Sequence, residues 1–183
     1  MIETKAPHIP YLKKALYSRL RKFPWRRLEG AYSKGTQLRK YFFDLASPSK
    51  MERRNGLTVL GEELEHQGTV YELSAYAIGP LTYLLNRPRY PERRRVLDLL
   101  LRLACGTGGF TAHRKLSIFR DMHGEKKITR EVLKEASFLK KLRTHLIEAK
   151  DVFYLLLKDR DPHVGSAATA ILGRIRGNAR ERV

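Results

Sequence analysis

Residues 149–177, AKDVFYLLLKDRDPHVGSAATAILGRIRG, contain the helical pattern that decides the fold. After Pro162, apolar residues recur three and four positions apart, which is the spacing of one buried face of an α-helix. They are Val164, Ala167, Ala168, Ile171, Leu172 and Ile175. Asp161 and Pro162 favour a helix start, because Asp accepts from free backbone N–H groups and Pro needs no donor in the first turn. Gly177 is expected to end this helix.

A second amphipathic pattern comes just before the first. Its apolar positions are Ala149, Val152, Phe153, Leu156 and Leu157. Only the tetrapeptide KDRD separates it from the next helix, and two helices joined by so short a turn must pack antiparallel. Residues 149–177 are therefore predicted to form an antiparallel helix pair.

The same arrangement occurs near the N-terminal third of the chain. One helix is expected before Ser47-Pro48 and another after it, with Ser49 and Glu52 in the spacing of a capping box. The apolar positions of these two helices are Leu38, Tyr41, Phe42, Leu45, Met51, Leu57, Leu60 and Leu64.

A further pair occupies the middle of the chain. A helix is expected from about Thr69 to Asn86, and Pro80 should kink or restart it because Pro lacks a donor and clashes with the preceding turn. The apolar run from Val96 to Leu103 predicts the second helix of this pair.

Pro residues mark the turn before each second helix, at Pro48, Pro91 and Pro162. Repeated helix pairs predict a solenoid, and the first interval of 43 residues is close to the period of HEAT repeats. The second interval is 71 residues, so the extra segment is interpreted as an insertion or a degenerate repeat. No run of strict alternation predicts a strand. We expect an all-α, HEAT-like α-solenoid of about nine helices arranged as antiparallel pairs.

Several motifs add a family resemblance to this pattern. They are Trp25, Ala31-Tyr32 with Gly35, LRKYFFDLAS at 38–47, HQGTVY at 66–71, AIGPLTYLLNRP at 77–88, and Arg93 or Arg94 before the apolar run. Over roughly residues 24–105 and 149–176 the chain resembles a bacterial family of HEAT-repeat proteins. The resemblance implies a helical scaffold rather than a reaction, and some members resemble immunity partners of bacterial toxins.

The expected organisation has five parts. Residues 1–34 should form basic N-terminal capping helices, with Ile9, Leu12, Leu16 and Leu20 covering the open end of the solenoid. Residues 35–105 should form two HEAT-like pairs. Residues 106–148 are interpreted as a glycine loop and a basic inserted or degenerate repeat, with a helix from Thr129 whose apolar positions are Leu133, Ala136, Leu139 and Leu142. The C-terminal pair, 149–177, is followed by a tail at 178–183.

Positive charge is the strongest global feature of the sequence. The chain has 37 Lys and Arg against 19 Asp and Glu, a net charge of +18, and such a field attracts an anionic partner. Two groups of residues are candidates for binding it. The arginine ridge on the second helices comprises Arg53, Arg54, Arg93, Arg94, Arg95 and Arg102, with Asp98 expected to pair with Arg94 or Arg102. The N-terminal basic patch comprises Lys13, Lys14, Arg19, Arg21 and Lys22.

Other motifs predict little chemistry. Cys105 is expected to be a buried small hydrophobe, and a single cysteine agrees with a reducing, cytoplasmic location. No apolar stretch is long enough to span a bilayer, so no membrane partner is expected. In HQGT, Gly68 should supply a positive φ while His66 or Thr69 caps backbone groups. The histidines and the Gly106–Gly109 stretch have no metal or phosphate-loop spacing, so neither metal nor cofactor is predicted.

Three functional hypotheses follow, and the first is a non-enzymatic adaptor or immunity protein that binds an acidic protein. The alternative is nucleic-acid binding, because the run KKALYSRLRKFPWRR mixes positive charge with Tyr17, Phe23 and Trp25. Trp25 itself is expected in the core. A HEAT-like DNA glycosylase is disfavoured, since no pocket of aromatic residues with a carboxylate can be assembled from the sequence. The oligomeric state is left open.

Overall fold

The computed structural model describes residues 9–87 and 90–180, and within them the fold is all-α apart from one short hairpin. None of its helices is both long and apolar enough to cross a membrane. The elements are α1 (Ile9–Leu20), α2 (Gly35–Asp44), α3 (Lys50–Leu64), β1 (Glu65–His66), β2 (Thr69–Val70), α4 (Glu72–Leu85), α5 (Arg93–Cys105), α6 (Gly109–His113), α7 (Ser117–His123), α8 (Glu125–Glu148), α9 (Lys150–Leu156) and α10 (Pro162–Arg180).

Each predicted helix pair is in contact: α2 with α3, α4 with α5, and α9 with α10. The predicted helix starts agree in detail. Ser49 accepts from the backbone N–H of Glu52 at 3.3 Å, and Asp161 accepts from that of His163 at 2.9 Å. The Glu52 carboxylate bonds to the Ser47 hydroxyl instead of returning to Ser49, so only half of the capping box forms.

Segment 106–148 belongs to the body of the fold. It forms α6, α7 and the long α8, which brings the described helices to ten rather than about nine. Helix α8 packs against α4, while α3, α5 and α10 contact one another in that order. The short α9 continues from the end of α8 and packs on α10. The C-terminal pair is therefore α9 with α10, while α8, from the segment interpreted as an insertion, packs mainly against α4.

The core is continuous from the N-terminal helices to α10. Leu16 and Leu20 on α1 are fully buried, as the capping interpretation predicts. The side chain of Ile9 and residues 1–8 lie outside the described part of the chain. Trp25 is buried, and its indole N–H donates to the Leu20 carbonyl at 2.9 Å, so its predicted core role is confirmed.

Some predicted core positions are wrong. Met51, Leu133 and Leu157 are exposed, as is Ala136. On α8, Leu139 and Leu142 are buried as predicted, whereas Leu133 and Ala136 are not, because periodicity alone cannot locate the helices α4 and α6 that pack against it. The buried positions of α8 are Ile128, Glu135, Leu139, Leu142 and Leu146. Cys105 is also exposed, because it is the last residue of α5.

Two expected helix interruptions do not occur. Helix α4 runs unbroken through Pro80, which is buried within it, so the prediction of a restart is wrong. Gly177 does not end α10, which continues to Arg180 through the first part of the predicted tail. A glycine inside a helix costs only about 1 kcal/mol relative to Ala. Gly177 has no positive φ of the kind that ends a helix. Residues 181–183 lie outside the described part.

The HQGT motif forms the hairpin between α3 and α4. Gly68 has φ +82°, as predicted, and Gln67 precedes it with φ +51°. The capping role assigned to His66 or Thr69 is instead performed by Glu65, whose carboxylate accepts from the Gly68 N–H at 2.6 Å. Helix α4 therefore begins at Glu72, three residues later than the pattern suggested.

Candidate anion-binding site

Arg53, a member of the predicted arginine ridge, is buried. Its Nη1 donates to the carbonyls of Ser47 at 2.9 Å and Pro48 at 2.8 Å. The guanidinium therefore holds the turn that precedes α3 and does not contribute to an exposed surface. Its assignment as a partner-binding residue is corrected accordingly.

Glu92 lies among three arginines of the ridge. Its carboxylate is 3.6 Å from Arg53, 3.6 Å from Arg54 and 3.9 Å from Arg95, and its side chain is buried. One buried carboxylate thus offsets much of the charge that the sequence concentrates here. Arg54 and Arg95 are half-exposed but directed toward Glu92, which makes them part of the helix junction.

The remaining ridge arginines are divided between structural and exposed positions. Arg93 contacts Asp159 at 2.6 Å, and Arg102 contacts Glu65 at 2.8 Å. Arg94 is exposed, and within the described residues neither it nor Arg102 forms the predicted ion pair with Asp98. The ridge is mainly a set of ion pairs between elements, because the fold brings distant carboxylates onto it.

A different surface collects unneutralised charge, in a groove walled by α1, α4, α8 and the start of α9. We call it the α1–α4 groove, and its volume is about 960 Å³. Its lining residues are Ala15, Ser18, Arg19, Lys22, Phe23, Tyr76, Gly79, Pro80, Thr82, Tyr83, Asn86, Lys141, His145, Glu148, Ala149 and Val152. Arg19 and Lys22 come from the predicted N-terminal basic patch. Lys13, Lys14 and Arg21 are exposed but do not line the groove.

Aromatic rings fix the cations of the groove. The Arg19 guanidinium lies 4.4 Å from the centre of the Tyr83 ring, and the Lys141 ammonium lies 3.4 Å from the centre of the Tyr76 ring. Arg87 lies 4.5 Å from the Tyr83 ring and donates to its hydroxyl at 2.6 Å. Two guanidiniums therefore lie against the Tyr83 ring.

The groove retains net positive charge. Arg19, Lys22 and Lys141 form no ion pair with another described residue, and Glu148 supplies the acidic group among the lining residues. His145 lies beside them and bonds through Nδ1 to the Ala75 carbonyl at 2.6 Å. Cations held on rings keep their N–H groups directed outward, which is a suitable arrangement for binding carboxylate or phosphate oxygens.

Sequence reasoning missed Tyr76, Tyr83 and Lys141. The two tyrosines are seven residues apart on one helix, a spacing that places them on the same face. That spacing was available in the sequence as a signal. Lys141, however, reaches Tyr76 only because α8 packs against α4, which no local pattern indicates.

A second cleft surrounds the hairpin and has a volume of about 600 Å³. Its most buried carboxylate, Glu135, is occupied structurally, accepting from the backbone N–H groups of Phe110 at 2.8 Å and Thr111 at 2.7 Å. His66 bonds to the Tyr32 hydroxyl at 2.8 Å through Nε2. Burial, with smaller effects from Tyr32 and nearby glutamates, raises the pKa of Tyr71. These groups serve to hold the hairpin, α6 and the 30–33 loop together.

Within the described part of the chain, the α1–α4 groove thus combines a concave shape with three cations that form no ion pair. Among the described residues, no group of three or more His, Cys, Asp or Glu is placed to hold a metal ion. Comparisons of the chain with protein-family models, with curated proteins and with solved structures gave no match.

Proposed function

We propose that this chain is a non-enzymatic, HEAT-like helical scaffold of adaptor or toxin-immunity type that binds an acidic protein partner in the α1–α4 groove. The observation that carries the proposal is the pair of cations fixed on Tyr76 and Tyr83 without carboxylate partners. Five of the six ridge arginines, all except Arg94, instead lie beside Glu92, Glu65 or Asp159. Charge left unneutralised in a groove is available to a partner.

The covered rings favour an acidic protein over a nucleic acid. Single-stranded nucleic acids bind by stacking bases on aromatic rings as well as by charge. In the α1–α4 groove the Arg19 and Arg87 guanidiniums lie against the Tyr83 ring, and the Lys141 ammonium lies over the Tyr76 ring. Stacked bases would have to displace these cations. Carboxylates need only meet their outward N–H groups.

The scaffold part of the proposal is supported by the order of helix contacts. The second helices α3, α5 and α10 contact one another in sequence, and α8 contacts α4 on the other side. Stacked helix pairs of this kind form extended surfaces that grip macromolecules. The bacterial, cytoplasmic setting belongs to the same proposal and rests on the sequence motifs.

Direct nucleic-acid binding is the second candidate, supported by the net charge of +18. It predicts that affinity falls with salt concentration in proportion to the number of phosphate contacts, because each contact contributes about 0.7 to 0.9 to the slope of log affinity against log salt. Protein freed of carried-over nucleic acid would be titrated with polyglutamate and with single- and double-stranded oligonucleotides at several salt concentrations.

The decisive comparison uses two variants of equal charge change. Arg19→Gln with Lys141→Gln alters the groove, while Arg94→Gln with Arg95→Gln alters the ridge and is the control. We expect polyglutamate binding to fall about tenfold or more in the groove variant and to change little in the control. Polyglutamate binding that is absent, or equal in both variants, would overturn the proposal. The second candidate would be established instead if oligonucleotide affinity fell more steeply with salt than polyglutamate affinity did, and if that slope became shallower in the groove variant.

A further inference from the structure

We infer that the α1–α4 groove takes an acidic amphipathic helix lying along α4, with carboxylates on one face two helical turns apart. This inference rests on the proposed function and specifies the shape of the partner segment. It follows from the positions of the two ring-bound cations, from the residues between them, and from the space above those residues.

The two anchoring rings define a fixed interval. Tyr76 and Tyr83 are seven residues apart on α4, which is continuous from Glu72 to Leu85. With a rise of 1.5 Å per residue, seven residues correspond to about 10 Å along the axis. Arg19 lies against the Tyr83 ring and Lys141 against the Tyr76 ring, so the two rings that hold positive groups stand about two turns apart on one face of α4.

A helix matches this interval better than an extended chain. Residues seven apart on a helix share a face and are also about 10 Å apart. An extended strand covers a similar distance in three residues, but side chains three apart on a strand point to opposite faces. Two carboxylates three residues apart on a strand therefore point in opposite directions, whereas two carboxylates seven residues apart on a helix can approach both rings from one side.

The surface between the anchors suits the apolar face of such a helix. Small or apolar side chains contributed by Ala15, Pro80, Ala149 and Val152 line it. Gly79 lies between the two tyrosines on α4, is exposed, and has open space where a Cβ would be. Small residues permit close approach of another helix, and an amphipathic helix in a groove is a recurring mode of recognition.

Gly79 provides a variant that blocks the groove, with Gly79→Ala as its control for the fold. Apart from its two chain neighbours and the nearby backbone of its own helix, a Cβ at Gly79 would meet no heavy atom within 4 Å, and its φ is not in the left-handed region. Leu is a better helix former than Gly. The Pro80 ring, however, crowds any Cβ at position 79 in the helical conformation, so Gly79→Leu and Gly79→Ala should lower the free energy of unfolding by similar amounts. Only Gly79→Leu places a larger side chain where the partner helix would lie.

The test uses two helical peptides of about five turns, roughly 18 residues. Both carry one apolar stripe and the same composition, but the glutamate pair beside the stripe is seven residues apart in one peptide and five apart in the other. We expect the first to bind the intact protein about tenfold or more tightly than the second. Gly79→Leu and Arg19→Gln with Lys141→Gln should each weaken the first peptide by a similar factor.

Failure of this inference and of the proposed function can be told apart. Equal binding of both peptides, weakened by the charge variant but not by Gly79→Leu, would overturn the helical register and leave an acidic partner in the groove. If neither peptide bound, but polyglutamate bound and the groove substitutions weakened its binding, the inference of a helical partner would likewise be wrong. If no acidic polypeptide bound, or if none of the groove substitutions changed binding, the helical inference and the proposed function would both be wrong.

Discussion

Arg53 and Glu92 form a buried ion pair that joins the first helix pair to the second. Arg53 Nη2 lies 3.6 Å from Glu92 Oε1, and the two side chains are 9% and 6% exposed. Arg53 belongs to α3 and Glu92 is the residue before α5. Arg53 also donates to the Ser47 and Pro48 carbonyls, so the pair connects the turn before α3 with the turn before α5.

Glu92→Gln should destabilise the fold strongly. Removing one partner leaves a buried guanidinium without a counter-charge, which costs about 3–5 kcal/mol. Urea unfolding followed by circular dichroism would measure the loss. Glu62→Gln is a matched control, because Glu62 is exposed on α3, and its effect should stay within about 0.5 kcal/mol.

The double variant Arg53→Met with Glu92→Met tests whether the pair itself is favourable. Replacement of both charges by apolar groups of similar size is often neutral or stabilising. We expect the double variant to recover most of the stability lost in Glu92→Gln. A loss equal to that of Glu92→Gln would show that the Arg53 bonds to Ser47 and Pro48 carry the effect.

Core truncations should separate the buried helix faces from the exposed ones. Leu100 and Ile171 are fully buried on α5 and α10, so Leu100→Ala and Ile171→Ala should each cost about 2–5 kcal/mol. Leu133→Ala, at a position 68% exposed, should cost less than about 0.5 kcal/mol. The same unfolding measurement applies to all three. A small effect at Leu100 would contradict the described packing of α5.

The sequence predicts those features that depend on residues close together in the chain. Helical periodicity locates the three pairs, and Ser49 and Asp161 begin helices as their side chains require. The arginine ridge was misread because Arg93 meets Asp159 only after α5 packs on α10.

The groove was missed for the same physical reason. Tyr76 acquires its cation from Lys141, which lies on another helix far along the chain. An amphipathic pattern states that a face is buried, but it does not state which helix covers it. The segment 106–148 therefore looked like an insertion, although its α8 packs against α4 and builds one wall of the groove.

Glu135→Gln should loosen α6 and α7. The Glu135 carboxylate accepts from the Phe110 and Thr111 N–H groups and from the Thr111 hydroxyl at 2.7 Å, whereas an amide offers only one acceptor oxygen. Leaving such donors unsatisfied costs about 1–3 kcal/mol.

Hydrogen exchange measured over residues 109–123 would report this change. Exchange there should become faster in Glu135→Gln. The Phe110 ring on α6 packs against the Phe119 ring on α7 with 5.2 Å between centroids, so loosening α6 also weakens the packing of α7. Glu131→Gln is the control on the same helix, since Glu131 pairs only with its neighbour Arg130 among described ion pairs. Equal exchange in the two variants would contradict a role for Glu135 in holding α6.

Tyr90 should make the fold sensitive to alkaline pH. Its hydroxyl donates to the Leu45 carbonyl at 2.9 Å in a buried position. Burial raises the pKa of Tyr90 above its usual value of 10.0, and Glu92 adds to this while Arg53 opposes it. The unfolded chain therefore releases this proton first. The contribution of Tyr90 to the free energy of unfolding is fully present below about pH 10. Above that pH it falls by up to about 1.4 kcal/mol per pH unit.

Tyr90→Phe separates the hydrogen bond from the titration. At neutral pH the variant should lose about 0.5–1.5 kcal/mol, the usual net contribution of one hydrogen bond. Above pH 10 its stability should decline less steeply than that of the original protein, because no buried hydroxyl remains there to be kept protonated. Tyr17→Phe removes a half-exposed phenol and should keep the original slope. Denaturant unfolding at several pH values between about 8 and 11 measures both effects. Identical slopes for the original chain and Tyr90→Phe would contradict the assignment of the alkaline loss to this buried phenol.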